Sequence, residues 1–238
     1  ANSDNSQVRE FASFVVKVRT ADKIRGSYLE NFIKDQTDGI LHPSIKTMRA
    51  VTGRMSITDP ALQTLGKSGA HNMVRSAIVA REGQVLASSD KDQVEFRIFA
   101  HLSQDEALIN TFIEADRTGS DAFTEIGKQI YDDPDFKKSD PRRGLVKGVI
   151  YGRLYGSGVQ KMAETAGVPF DAMKKVSDSL NLAYPGINRY QKEMEQTVTN
   201  RKVTEGIPYI ETQVTGRKIP VEEDRIYSGL NYTIQSSA

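Results

Sequence analysis

The chain has 238 residues, 38% of them apolar and 26% charged, with a formal net charge of +1 and no cysteine. That length and apolar share support one large core or two modest ones, and the missing cysteine excludes disulfides and thiolate metal sites. No apolar run approaches the roughly 20 residues that span a bilayer, and the polar start Ala1-Asn2-Ser3-Asp4-Asn5 lacks the apolar stretch of a secretion signal, so no membrane partner and a cytoplasmic compartment are expected.

Phe11, Phe14, Val15, Val18, Ile24, Tyr28 or Leu29, and Phe32-Ile33 recur at helical spacing and predict two helices over residues 8–34, broken near Thr20-Ala21-Asp22. Asp38-Gly39 is a turn signal, and residues 40–52 read as extended chain leading into Gly53. Residues 77–86, split by Arg81-Glu82-Gly83-Gln84, read as a hairpin whose second strand runs through Val85-Leu86-Ala87 to Asp90. A strand that ends on a carboxylate presents a metal ligand, and Gln93, Glu95 and Arg97 add a polar cluster that an ordinary core strand does not need.

After His101 the pattern turns helical, with helices predicted over residues 105–116, 120–131, 141–155, 159–166, 170–183 and 187–200. Asp133-Pro134, Gly167-Val168-Pro169 and Tyr184-Pro185-Gly186 punctuate them. Residues 209–214 and 218–221 form a second predicted hairpin around Thr215-Gly216, before the chain returns through residues 225–235. The fold class is α+β: a sheet region, a helical insertion and a return to sheet, without internal repeats or low-complexity linkers.

The helix over 141–155 carries the chemistry. Asp140 suits its cap, Pro141 its first position, and Gly156 and Gly158 its stop. Arg143, Lys147, Tyr151 and Tyr155 recur every fourth residue, which stacks two cations and then two rings along one face. Lys137, Lys138, Arg142, Arg143, Lys147 and Arg153 face only Asp140 within this stretch. Charge alone favours a solvated basic face; the interleaved tyrosines reverse that preference, because cations hold phosphate and rings stack on bases. His42, His71 and His101 lie in separate segments without ligand spacing and are read as structural.

The run Asp90 to Arg97, with Gln93 and Glu95 between, resembles motif A of the family A DNA polymerases, and Arg143, Lys147, Tyr151 and Tyr155-Gly156 resemble motif B. Thr52-Gly53-Arg54 with Ser56, and Asp59-Pro60-Ala61-Leu62-Gln63, resemble the segment that touches the primer-template minor groove. Ala100-His101-Leu102-Ser103 follows motif A as in the family, and Asn231-Tyr232-Thr233-Ile234-Gln235-Ser236 resembles its late Asn and Gln segment. Four such motifs in the right order span most of the chain.

The resemblance implies a polymerase palm sheet, incomplete here, with thumb-remnant helices over residues 1–104, helical fingers over 105–217, and a return to palm over 218–238. It implies nucleotidyl transfer from a dNTP to a primer 3′-OH with Mg²⁺ as cofactor, in a bacterial or phage-infected cell. Asp90 would bridge two metals with help from the Lys91 carbonyl. Gln93 would brace the sugar pocket, and Glu95 would close the space beside C2′, unless it pairs with Arg97 instead. Arg143 and Lys147 would grip the triphosphate, with Lys147 also a general acid for pyrophosphate; Tyr151 would stack near the incoming sugar and base, and Tyr155 near the templating position. Arg54, Gln63, Asn231 and Gln235 would contact primer-template DNA in the minor groove.

A second stripe, Gly144, Gly148, Gly152 and Gly156, runs beside this face. Each interior glycine costs about 1 kcal/mol relative to alanine, so the stripe is expected to admit the nascent base pair or a neighbouring helix, and to loosen the helix for opening and closing. Leu145, Val146, Val149, Ile150 and Leu154 supply the buried face.

Departures from the family pattern carry their own expectations. Lys91 and Asp92 stand where Tyr and Ser are common, and Asp121-Ala122-Phe123 stands where the family places a phosphate-contacting His, so triphosphate binding leans on Arg143 and Lys147. Tyr151 stands where Phe is common, which implies weak discrimination against dideoxynucleotides. The His-Asp-Glu turn of motif C does not occur in the 238 residues, so the chain is expected to be part of an enzyme, completed by another polypeptide or belonging to a longer one, and to extend primers poorly alone. A non-catalytic nucleic-acid-binding module would keep the basic helix without needing Asp90. Single-subunit RNA polymerases share the palm, but Glu95 and the Gln93-to-Arg97 pattern argue for deoxynucleotides.

Overall fold

The computed structural model describes residues 5–66 and 69–238; the polar start Ala1 to Asp4 lies outside the described residues. The chain divides into two compact units at Asp90 and Lys91, and the architecture is α+β. No helix among the described residues is long and apolar enough to cross a membrane.

In the N-terminal unit, α1 (Ser6–Ile24) starts where the Asn5 side chain accepts the Gln7 N–H at 2.9 Å. The expected break near residues 20–22 does not occur. Thr20 stays helical, its hydroxyl donating to the Val16 carbonyl at 2.8 Å, and the irregularity falls instead on a π turn, Arg25–Leu29, before α2 (Glu30–Asp35). Tyr28, on that turn, is buried, and its hydroxyl donates to the Thr64 carbonyl at 2.7 Å. β1 (Gln36–Thr37) and β2 (Ile40–Leu41) form the hairpin that Asp38-Gly39 announces; both turn residues have positive φ, the geometry that matches strand twist. β3 (Ser44–Lys46) pairs antiparallel with β4 (Ser56–Thr58). α3 (Ala70–Ser76) brings Val74 to a small core with Ile24, Tyr28 and Leu65.

The hairpin predicted over residues 77–86 is absent. Its turn exists, with the Gln84 N–H donating to the Arg81 carbonyl at 3.0 Å and Gly83 at φ +74°, but no ladder forms on either side. Asp90 therefore ends an irregular, exposed segment rather than a strand. Short β-prone runs form strands only where a ladder partner and a packing surface exist, and none of the described strands pairs with this segment.

In the C-terminal unit α4 (Val94–Ser103) forms where no helix is predicted, whereas local signals and structure agree closely for α5 (Glu106–Thr118), α6 (Ala122–Tyr131), α7 (Arg143–Leu154), α8 (Val159–Ala166), α9 (Phe170–Ala183) and α10 (Pro185–Glu205). Asp105 and Asp121 cap α5 and α6 by accepting the Leu108 and Thr124 N–H groups at 3.0 and 3.2 Å. The other Asp105 oxygen accepts the Gly186 N–H at 2.6 Å, tying the start of α10 to the start of α5; a Cβ at Gly186 would lie 2.7 Å from Asp105 Cβ. Phe96, Leu108, Ile126, Ile150, Met173 and Leu180 lie in one apolar core. β5 (Tyr209–Glu211) and β6 (Lys218–Pro220) form the predicted second hairpin, with Ile210 opposite Ile219, and pack with Val198 and Val221. α11 (Ser228–Ser237) closes the unit, and Asn231 and Gln235 share it one turn apart.

Candidate nucleotide site on helix α7

Helix α7 is entered through a fixed corner. Asp140 accepts the Arg142 N–H at 2.8 Å, and the Arg142 guanidinium pairs with Asp140 and Asp133 while lying over the Tyr131 and Phe136 rings at 4.9 and 5.1 Å. These two carboxylates hold the Arg142 pKa well above its ordinary value. Arg142 is thus structural, and Arg153 is partly so: it donates to Ser177 Oγ at 2.8 Å, and burial lowers its pKa. Of the basic residues expected along this stretch, Arg142 and Arg153 are engaged by the fold, while Lys137 and Lys138 are exposed.

On the face that also carries Lys147, Arg143 donates to Asp121 Oδ1 at 2.7 Å, with both side chains largely buried. Burial pushes the Asp121 carboxyl up, but the bonds from Arg143 and Thr124 together outweigh it and hold the group below the usual aspartate range. Both cations lie over one ring: Arg143 Cζ is 5.5 Å and Lys147 Nζ 5.2 Å from the centroid of Phe123. Phe123 stacks on Phe96 at 5.5 Å with an interplanar angle of 13°, and touches Tyr151 at 5.7 Å. The Tyr155 hydroxyl donates to Glu95 Oε2 at 3.1 Å. Residues 93–97 and the α7 face are therefore joined twice, through Glu95 to Tyr155 and through Phe96 to Phe123. Burial first, and then the Glu95 charge, raise the Tyr151 pKa.

Arg97 makes a bidentate pair with Asp116 at 2.7 and 2.9 Å and lies over the Phe112 ring at 4.9 Å. Gln93 stands just before α4 with φ +52°, turning the chain into the helix; its amide donates to Asp92 Oδ2 at 2.7 Å, while its Oε1 is buried without a partner. Asn231 is buried with Nδ2 unpartnered, and Gln235 is half-buried.

Of the remaining predicted residues, Arg54, Gln63 and Asp90 belong to the N-terminal unit and Lys91 to the C-terminal one. Arg54, Asp90 and Lys91 are exposed. Gln63 is exposed; its amide accepts from the Ile57 N–H at 3.0 Å and donates to the Met55 carbonyl at 3.1 Å, so it braces β4 while each amide atom keeps capacity for a further bond. The Asp90 carboxylate and Lys91 carbonyl have the hard-oxygen chemistry that Mg²⁺ requires. No three acidic or histidine side chains converge among the described residues.

The glycine stripe splits in two. A Cβ at Gly152 would lie 2.1 Å from Met162 Sδ on α8, and Gly156, at φ +69°, would meet the Tyr227 ring at 2.5 Å, so these two admit neighbours. Gly144 and Gly148 face open space and line a cavity of about 350 Å³ with Tyr151 and Tyr155.

Sequence reasoning missed Phe96, Phe123 and the partnership of Asp121 with Arg143. Phe123 sits at a helical apolar position beside Ala122 and Ile126, a spacing that does not distinguish a core ring from a platform for cations.

A mixed fold with a helix face of two cations and two rings, braced by Glu95 and Phe96, has the chemistry of a nucleotide-handling protein. The chain belongs to DNA polymerase family A, whose family model matches residues 3–238. It is 34% identical over 229 residues to the DNA polymerase of Mycobacterium phage D29, covering 95% of this chain and 35% of that protein. It is 29% identical over 180 residues to DNA polymerase I of Deinococcus radiodurans, covering 74% of this chain and 18% of that protein. The solved POL domain of Pol1 from M. smegmatis, in complex with DNA primer-template and dNTP, superposes with a TM-score of 0.76 at 26% identity, over 92% of this chain and 39% of that one. The chain thus spans about a third of the length of the phage relative it matches.

Proposed function

We propose that this chain is the nucleotide-gripping part of a template-directed DNA polymerase that transfers a nucleotidyl group from a dNTP to a primer 3′-OH. The observation that carries this reading is the pairing of Arg143 and Lys147 on one ring, with Tyr151 and Tyr155 following along the same helix and Glu95 bonded to Tyr155.

Arg143 and Lys147 bind the triphosphate as paired donors, the phosphate oxygens competing with Asp121 for the Arg143 guanidinium. Lys147 holds a proton that it passes to the departing pyrophosphate oxygen. The Glu95 carboxylate, fixed by the Tyr155 hydroxyl, occupies the space that a 2′-hydroxyl would need, which selects deoxynucleotides. Tyr151 packs against sugar and base, and the buried, unpartnered Asn231 Nδ2 supports a role for Asn231, with Gln235 and Arg54, in holding primer-template DNA. Gln63 joins them through the bonding capacity its exposed amide keeps beyond its two bonds to the backbone. In this reading residues 1–104 contribute palm and thumb-remnant helices, 105–217 the fingers, and 218–238 a return to the palm.

Mg²⁺ held by Asp90 and Lys91 would neutralise the triphosphate and lower the barrier to attack by the 3′-OH. A further carboxylate is needed to complete a two-metal site, because the described residues gather no acidic cluster. The 238-residue polypeptide alone therefore extends primers poorly, and a polypeptide bearing a His-Asp-Glu turn restores synthesis. Phage and bacterial relatives support action in the cytoplasm of a bacterial or phage-infected cell.

The test is Mg²⁺-dependent primer extension by the chain with and without such a polypeptide. Restored synthesis that disappears with Asp90→Ala and falls with Lys147→Ala is the expected result. Extension indifferent to Asp90→Ala would sink the catalytic reading and favour a nucleic-acid-binding module.

A further inference from the structure

We infer that Phe123 is a positioning residue for the triphosphate grip: its buried ring holds Arg143 and Lys147 side by side and sets the spacing at which they meet a phosphate chain. The inference rests on the reading of α7 as a triphosphate-binding helix.

Two cations one turn apart on a helix repel, and a mobile pair must be ordered before it can hold a ligand. Here each lies over the same ring, at 5.5 Å for Arg143 and 5.2 Å for Lys147, so the electron-rich face of Phe123 attracts both and offsets their repulsion. Asp121 restrains only Arg143, which leaves the ring as the contact that the two cations share. The ring itself cannot drift: Phe123 is 2% exposed and stacked within 13° of Phe96. Phe96 is in turn packed edge-on against Phe112, the ring that carries Arg97. The platform is thus anchored in α4, α5 and α6, while the cations it carries belong to α7. Phe123 touches no phosphate in this arrangement; it acts through the two side chains above it.

A plain core role and a platform role make different demands on the ring. Core packing needs only its shape and apolar surface, whereas the platform needs the negative charge of its face. Replacing Phe123 with 3,4,5-trifluorophenylalanine keeps the shape and nearly cancels that charge, Phe123→Leu removes the face altogether, and Phe123→Tyr retains it. Binding of dGTP with Mg²⁺, and of inorganic tripolyphosphate, is measured calorimetrically for each protein, with thermal unfolding as the control for folding.

The expected result is a loss of affinity that grows with fluorination, reaching about tenfold for the trifluoro ring. It should be similar for dGTP and tripolyphosphate, because the base is not involved. Phe123→Leu should lose at least as much, and Phe123→Tyr should stay near wild type. Unchanged affinity in the folded trifluoro protein overturns the inference, even if Phe123→Leu fails to fold. Wild-type protein that binds neither probe, or an Arg143→Ala protein that binds both normally, overturns instead the assignment of α7 to triphosphate.

Discussion

The two units of this chain respond differently to the same kind of sequence signal. In the C-terminal unit, each helix predicted from local caps and apolar spacing forms within a few residues of its expected bounds, around a shared core of large side chains. In the N-terminal unit, a turn of equally good local chemistry at Arg81 to Gln84 forms, yet the strands beside it do not, and Val85 and Leu86 remain 89% and 68% exposed. A helix satisfies its own backbone and asks its surroundings only for an apolar face, whereas a strand borrows its hydrogen bonds from a neighbour. The difference teaches that local signals suffice where bonding is local.

Asp105→Ala should break the contrast most sharply, since it removes the acceptor for both the Leu108 and Gly186 N–H groups within the core. A loss of about 2–4 kcal/mol in denaturant unfolding is expected, and a loss near zero would mean that the α5–α10 tie is ornamental. Next comes Arg143→Ala, which should weaken tripolyphosphate binding by about 2 kcal/mol while leaving the fold intact, because Asp121 retains its Thr124 bonds.

The glycine stripe offers a paired test on a single helix. Gly152→Ala should destabilise by about 1–3 kcal/mol through the clash with buried Met162, whereas Gly148→Ala should stabilise by up to about 1 kcal/mol. Equal effects at the two positions would refute the division of the stripe into packed and open halves. Nucleotide affinity of the Gly148→Ala protein then reports whether the open half has a role in binding.

Acid titration gives a smaller effect with a defined sign. Asp121 has a folded pKa below its ordinary value, so its contribution to stability is fully present above about pH 4 and is lost as pH falls through that lower value. Wild-type protein should lose stability on acidification below about pH 4, and Asp121→Asn should flatten that slope; identical slopes would show that the Arg143 pair does not shape it. At the other extreme, Val85→Thr should change stability by less than about 0.5 kcal/mol, since the side chain is exposed in a segment without a ladder.

Much of the candidate site was legible because its residues share one helix. The four-residue spacing of Arg143, Lys147, Tyr151 and Tyr155 puts them on one face wherever that helix goes, and Glu95, bonded to Tyr155, stands out in the sequence within the polar run after Asp90. The supporting parts were not legible. Asp121 is a helix cap, but its second role depends on where α7 passes; Phe123 is buried, but the cations above it come from residues 20 and 24 positions away. Gln63 shows a different case, a side chain with a groove role by resemblance whose amide also braces the backbone of its own loop.

What the amino-acid order determined by itself was the set of helices after His101, the turn at Asp38-Gly39, the hairpin around Thr215-Gly216, and the single face on which cations precede rings. These depend on hydrogen bonds and side-chain periodicities that close within a few residues. The tertiary structure alone decided that Arg142 serves the fold while Arg143 and Lys147 share a ring, that Gly152 is packed while Gly148 is open, and that the approach to Asp90 is not a strand. Each of those outcomes turns on a partner distant in sequence, and proximity of that kind is created only when the elements pack.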